Sequence, residues 1–585
     1  MRQARLSWLL LCCLVLLTSC RVPTPPDTVQ IVFEDNPQIR MEKQVFRPLR
    51  GEDLSVDVLV PSGQEIASVS YERYSLSAKL GEVNGFDKYT LTLHALRYPA
   101  RIRLTLADRC IFHIVLEDGK TEDIPDAGGH LRPNSPAWDP AYAPEGTVQI
   151  AWETEDGTLV TPGSRTDRTG SVISLRPCCL PFTDSVCFSY ETYADHAVIT
   201  KVLSGDVQIV IPETLEELPV KGIAPGALQG LTLDTLVLPT SLTSVAEGAF
   251  QDCTIDTLCF FDTLTGISDA AFPGTQVHTL RLIAASAPVW SGTYFDTLPD
   301  KLDRLMTTPA PHLLLFCGSS ARFGWNSPML DLAFPEYSVV NLGVYAYANM
   351  LPYARMVTSL AESGDLLLSS PEMDAIDCQF CFMQTFAPEW FAMTESNWDL
   401  LGLLDLTEFT GVFDSFSAFQ KQKQRMEKHS YAEVPSMFDE DGAPTLTPSY
   451  NAYGDYVLYR ENNLSGRLFG VKRAYYEPDM LTESVLSGLN AVYDALIDKG
   501  VSVYFTWSPR SAQSISEGSA GENIRLTEEK LRAHLHVPML SSVTDSLLPA
   551  LYFYGTDNHL STEGSALYTH ALIEQLRAAR EEALP

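Results

Sequence analysis

Basic residues are scarce: 41 Lys and Arg face 74 Asp and Glu across 585 residues, a formal charge of −33. Nucleic-acid recognition needs a basic stripe to neutralise phosphates. None is visible, so that class of function is excluded. Beyond the first twenty residues no stretch is apolar enough to cross a bilayer. Cysteine is sparse too. Outside Cys12, Cys13 and Cys20, nine of the 12 remain, an odd number that leaves at least one without an intramolecular partner. Cys378–Cys381 has the spacing of a redox pair or half a zinc site, but no second pair or nearby His completes it. His534-x-His536 lacks carboxylate or Cys partners for a metal. No metal or organic cofactor is implied. The 45% hydrophobic content excludes a disordered chain or small disulfide scaffold, and the length predicts three or four domains at roughly 100–200 residues each.

The chain opens with Arg2 and Arg5 ahead of a short apolar run, Leu6 to Leu17, the pattern of a secretory signal. Leu17-Thr18-Ser19-Cys20 resembles a bacterial lipobox, which implies lipidation of Cys20 and attachment to the extracellular face of the bacterial cell membrane. Residues 1–20 are then the signal peptide, and 21–27, rich in proline, an extended tether.

Residues 28–118 alternate with a period of two, as in Leu54-Ser55-Val56-Asp57-Val58 and Tyr89-Thr90-Leu91-Thr92-Leu93, and predict a β-sandwich-like domain. Without clustered catalytic residue types it reads as a spacer or adhesive module. Residues 119–145, rich in Pro, Asp, Gly and Ala, read as a linker. Asn134, Trp138, Gly146, Trp152, Glu155-Asp156-Gly157 and Pro162-Gly163-Ser164 resemble an internalin-type (Listeria–Bacteroides) repeat, a β-grasp module of bacterial surface proteins. Linker and repeat together occupy 119–190.

The clearest periodicity follows. Thr235-Leu236-Val237-Leu238, Thr257-Leu258-Cys259-Phe260 and Thr279-Leu280-Arg281-Leu282 recur every 22 residues, as do Ala227, Ala249 and Ala271. Units too small to bury their own apolar residues must stack, which predicts a short solenoid over 191–290. Its phrases resemble BspA-type leucine-rich repeats of bacterial surface proteins. Three repeats suit a rigid arm or a receptor equally, and 291–310 reads as a further linker.

From Pro311 apolar strands alternate with helical segments. His312 to Cys317 runs into Gly318-Ser319-Ser320, Ser338 to Leu342 into Gly343, and Asp365 to Ser370 into Pro371-Glu372. A helical stretch from Thr482 stops at Gly500 and leads into Val501 to Trp507. The pattern predicts an α/β three-layer sandwich with a parallel sheet, in which functional residues gather at the carboxyl ends of strands. Ser320, Gly343, Glu372 and Ser508-Pro509 fall at such ends.

A Ser at a strand-to-helix turn needs a base, and Thr556-Asp557-Asn558-His559 supplies His559 just before a terminal helix. Gly318-Ser319-Ser320 and the His559-Leu560-Ser561-Thr562-Glu563-Gly564 run resemble the SGNH (GDSL-like) hydrolase family over 311–585. The Gly-Ser-Ser form is that of the branch with the D-alanyl-lipoteichoic-acid biosynthesis and alginate acetylation proteins. The resemblance implies a flavodoxin-like sheet, Ser320 as nucleophile with Ser319 the adjacent alternative, and His559 as base. It also implies an oxyanion site at Gly343 and Ser320. Three departures stand out. The family's acid lies three residues before the His, where this chain has Thr556, leaving Asp557 as the nearest carboxylate. No Gly-x-Asn-Asp block is present. The two serines are adjacent. Residues 420–470 read as an insertion that could form a lid, with Glu372, Tyr453 and Asp455 as candidate substrate contacts.

These readings together lead to a lipid-anchored surface protein with a serine esterase or O-acyltransferase domain acting on acyl groups of envelope or extracellular glycans. The alternative is an adhesion protein whose repeats bind a glycan or protein partner beside a silent domain.

Overall fold

Period-two alternation becomes paired strands where one face meets apolar neighbours. The computed structural model describes residues 28–583 except 72–73, 78–79, 95, 97–98, 109, 126–131, 167–171, 291–294, 380–382, 430–449, 457–459, 461–471 and 520. The leader and tether, with Cys20, lie outside the described residues, as does Cys381. Leu54–Pro61 pairs antiparallel with Phe86–Leu93, setting Val56 opposite Leu91 and Val58 opposite Tyr89. Val56, Val58 and Leu91 close a core with Ile31, Phe33 and Ile102.

The next sheet crosses the expected boundary at 118/119. Ile111–Val115 makes a hairpin with Thr121–Pro125, turned through Gly119 at φ 81°, and runs parallel to Val172–Pro181. The stretch expected to be a linker therefore opens with a strand. Its Gly119, with Asp118 before it, makes the turn, and its Pro125 closes an edge strand, where a missing N–H is tolerated.

The 22-residue interval reappears as strand register. Gln208–Val210, Thr232–Val237, Thr254–Phe261 and Gln276–Ile283 lie parallel in that order, with Thr235 beside Thr257 and Thr257 beside Thr279. Gly230, Asp252 and Gly274 all have positive φ at the same interval. Asp252 adopts the left-handed conformation that Asn and Asp tolerate better than other side chains. Leu236, Leu258 and Leu280 stack inside.

Beyond the solenoid, β1 (His312–Phe316), β2 (Ser338–Asn341), β3 (Leu366–Ser369) and β4 (Ser502–Phe505) form a parallel sheet in the order β2-β1-β3-β4. Every residue of β1, β2 and β3 is buried, which is why these strands read as apolar runs and not as alternation. The supporting helices include α1 (Leu298–Thr307), α2 (Ser319–Gly324), α3 (Leu351–Leu360), α4 (Val412–His429), α5 (Glu483–Asp498) and α6 (Thr562–Ala583). Leu314, Phe316 and Leu367 pack with α3 and α5 on one face, whereas Leu313, Leu315 and Leu368 meet α6 on the other.

Residues 298–307, expected within a linker, are helix α1. Charged residues hide its burial in the sequence, because the structure gives each a partner. Lys301 Nζ donates to the carbonyl of Asn341 at 2.7 Å, Arg304 Nε to that of Val339 at 2.8 Å, and Asp303 pairs with Arg165 of the preceding β module. Nor is the solenoid a free arm. Its core is continuous with the Leu314 face of the parallel sheet. At the joint, Lys423 of α4 lies 2.7 Å from Glu395 and 3.3 Å from Asp262 of the solenoid, all three buried. Lys423→Met would leave two buried carboxylates without a counter-charge. It is expected to lower stability to urea by about 3–5 kcal/mol, with partial recovery when Asp262→Asn and Glu395→Gln are added.

Candidate active site

At the end of β1 the chain turns through Gly318 into α2, whose first residues are Ser319 and Ser320. Glu372, just past the end of β3, reaches under this turn. Its Oε1 accepts the Ser320 N–H at 2.7 Å and its Oε2 the Gly318 N–H at 3.0 Å. A side chain at 318 could not coexist with that carboxylate, since a Cβ there would fall 2.3 Å from Glu372 Oε2. Gly343, past the end of β2, is required for a similar reason: its Cβ would fall 2.5 Å from the Arg322 backbone nitrogen. Burial raises the Glu372 carboxyl above its usual value.

His559 arrives from the far end of the chain on a tight turn. Gly555 has φ 67°, Tyr554 N–H donates to the His559 carbonyl at 2.9 Å, and Thr556 Oγ1 accepts the His559 N–H at 3.0 Å. The imidazole stacks on Phe323 of α2, with ring centroids 4.1 Å apart and planes 15° apart. This stacking leaves Nε2 2.8 Å from Ser319 Oγ. A hydroxyl and a ring nitrogen 240 positions apart in the chain thus share a hydrogen bond at the carboxyl ends of the parallel strands.

The surroundings keep the imidazole neutral. Burial, then the guanidiniums of Arg460 and Arg322, drive His559 down to about 3. A neutral Nε2 can accept the Ser319 proton. The imidazolium so formed is disfavoured by the same arginines, which in turn favour negative charge developing nearby.

The structure places several candidate residues differently from the expectation. Ser319 faces the imidazole. Ser320 is fully buried, and its Oγ accepts from Asn558 Nδ2 at 3.3 Å. Consecutive helical residues point about 100° apart, so one of the pair meets Nε2. Asp557 turns elsewhere than the expected acid would: its carboxylate pairs with Arg473 and, at 3.4 Å, with Arg510. Burial opposes its ionisation, but Arg510 and Arg473 prevail and hold it at about 2. Among the described residues no carboxylate meets His559 Nδ1. Gly343 N–H is already donated to Asn341 Oδ1 at 2.9 Å, and Ser320 N–H to Glu372, so neither forms the expected oxyanion site.

The candidate substrate contacts also prove internal. Glu372 lies beneath the serine turn. Tyr453 is fully buried, its ring 4.5 Å from the Arg304 guanidinium. Asp455 is buried, accepting from Ser327 N–H at 2.9 Å and Asn341 Nδ2 at 2.7 Å. Most of the 420–470 insertion lies outside the described residues. Among the described residues no group of three or more His, Cys, Asp or Glu is arranged to hold a metal. His536 instead pairs with Asp494 at 2.9 Å. Cys317 and Cys378 are buried free thiols. The residues missed in the sequence are Asn558, Phe323 and the arginines at 322, 460, 473 and 510. Nothing in their spacing marks them, because they come from separate segments.

No family model matches the chain, and no curated protein matches it. Among solved structures, the leucine-rich repeat protein of T. pallidum (TpLRR) is similar over 13% of this chain at 22% identity. The match covers 42% of that protein, less than half its length, with a TM-score of 0.11.

Two outcomes follow from the geometry. Because the His559 pKa is lowered, the base stays unprotonated as pH falls through the ordinary histidine value of about 6.5. Ser319-dependent turnover of an aryl acetate is therefore expected to keep its kcat/KM through that value and lose it only at more acid pH. Glu372→Gln retains a single acceptor for the two N–H groups, and is expected to cost about 1.5–3 kcal/mol in urea denaturation.

Proposed function

We propose that the protein is a lipid-anchored surface protein carrying a serine-dependent esterase or O-acyltransferase site, with Ser319 as nucleophile and His559 as base and then acid. The observation that carries this reading is the 2.8 Å contact between Ser319 Oγ and a neutral His559 Nε2. The sheet order β2-β1-β3-β4, with Ser319 following the first strand in sequence and His559 preceding the last helix, supports an SGNH-like architecture. The lipobox-like Leu17-Thr18-Ser19-Cys20 supports anchoring through Cys20, and the β modules and solenoid would hold the site away from the membrane. Acyl groups on envelope or extracellular glycans are the substrate class that this resemblance implies.

One specific observation favours the second reading, a surface interaction protein with a silent site: Asp557 is turned to Arg473 and Arg510 and away from the imidazole. Ser–His pairs without a correctly placed acid still accelerate acyl transfer, though by several orders of magnitude less than full triads. The two readings part in one experiment on the full chain, using a fluorophosphonate probe and an aryl acetate. Labelling and turnover that survive in Ser320→Ala, but disappear in Ser319→Ala and His559→Ala, are the expected result. A folded wild-type protein that neither labels nor turns over would sink the catalytic reading.

A further inference from the structure

If Ser319 attacks an ester carbonyl, the carbonyl oxygen becomes an anion that needs hydrogen-bond donors. Both backbone donors expected for that task are occupied, Gly343 N–H by Asn341 Oδ1 and Ser320 N–H by Glu372. The carboxamide of Asn558 is differently placed. It belongs to the same turn as His559, and its Nδ2 lies 3.3 Å from Oγ of Ser320, the residue next to Ser319 in the chain. Asn558 is part-exposed, unlike the fully buried Ser320.

Thr556 fixes which way the amide points. Its Oγ1 accepts from the His559 N–H at 3.0 Å and the Asn558 N–H at 3.4 Å. With its lone pairs engaged, its own proton goes to Asn558 Oδ1, 2.6 Å away. The oxygen of the amide is thereby held by Thr556, and the NH2 group is the end that faces Ser320. That group has two N–H donors, and among the described residues only Ser320 Oγ takes one. Thr556 occupies the position where an acid would otherwise stand, and here its hydroxyl serves to orient the amide.

On the reading that Ser319 and His559 carry out acyl transfer, we propose that Asn558 is a catalytic residue, donating from Nδ2 to the oxyanion, and that Thr556 is the positioning residue for its amide. The Ser319 oxygen forms a bond to the carbonyl carbon of an ester while its proton passes to His559 Nε2. The carbonyl π electrons move onto oxygen, which Asn558 Nδ2–H receives. Collapse restores the carbonyl, breaks the bond to the alkoxide leaving group, and returns the proton from Nε2 to that group. A hydroxyl of water or of a glycan then repeats the sequence on the Ser319 ester.

The test is steady-state turnover of an aryl acetate by the full chain, with near-UV circular dichroism and thermal unfolding as checks of folding. Asn558→Ala is expected to lower kcat by about 10²–10³-fold, with KM and the acid limb of the pH profile unchanged, as for loss of one oxyanion donor. Asn558→Asp keeps the shape but is an acceptor when ionised. It is expected to lose as much kcat at neutral pH with KM again unchanged, a split that a packing role would not produce. Thr556→Val, which frees the amide to turn, is expected to cost roughly tenfold in kcat. An active wild type whose Asn558→Ala variant folds and keeps kcat within about threefold overturns the assignment of Asn558 alone. A folded wild type without turnover overturns the Ser319–His559 reading and this assignment with it.

Discussion

Glu372 Oε1 and Oε2 receive the backbone N–H groups of Ser320 and Gly318, a buried pair of bonds that ties the first turn of α2 to the end of β3. Charge-assisted bonds of this kind are about twice as strong as neutral ones, and a buried carboxylate is costly unless it is hydrogen-bonded. Gly318 and Gly343 follow from it, because the carboxylate and the α2 backbone approach so closely that neither position admits a side chain. With the turn held, Ser319 projects towards the last segment of the chain, and Phe323, one turn further along α2, offers the face on which His559 stacks.

The same economy of support extends outward. A short solenoid has two open ends, and stacked repeats are stable only when their terminal faces are covered. Here the outer edge of Gln276–Ile283 meets the segments Trp398–Leu403 and Leu406–Glu408, and helix α4 brings Lys423 to Asp262. The solenoid core thereby runs on into one face of the parallel sheet. A few repeats suffice because the neighbouring domain acts as their cap. Helix α1 joins the same framework from another side, pairing with Arg165 of the β module through Asp303 and with the end of β2 through Lys301.

Much of this was legible in the residues, and for definite reasons. Fully buried parallel strands read as apolar runs, so β1 to β3 stand out. A 22-residue repeat is its own register, so the sequence aligns the solenoid strands from Thr232 to Ile283. Gly318-Ser319-Ser320 and His559 stood out because each abuts a regular element. By contrast, α1 was hidden because its buried positions include Lys301, Asp303 and Arg304, which only distant partners make tolerable. The hairpin Ile111–Pro125 was split because its turn residues look the same as those of a linker.

Sequence alone determined most element types, the repeat interval, the acidic character and the two segments, around Ser319 and His559, that meet at the site. Those properties depend on local periodicity and composition, which the linear order carries. Tertiary structure decided which serine faces the imidazole and where Asp557 turns. It also decided which N–H groups are already engaged. These depend on directions set by rotation about α2 and by arginines drawn from separate segments, and a spacing of two residues between Asp557 and His559 contains no information about either. Chemistry at this site is a matter of which way a few side chains point, and only packing fixes that.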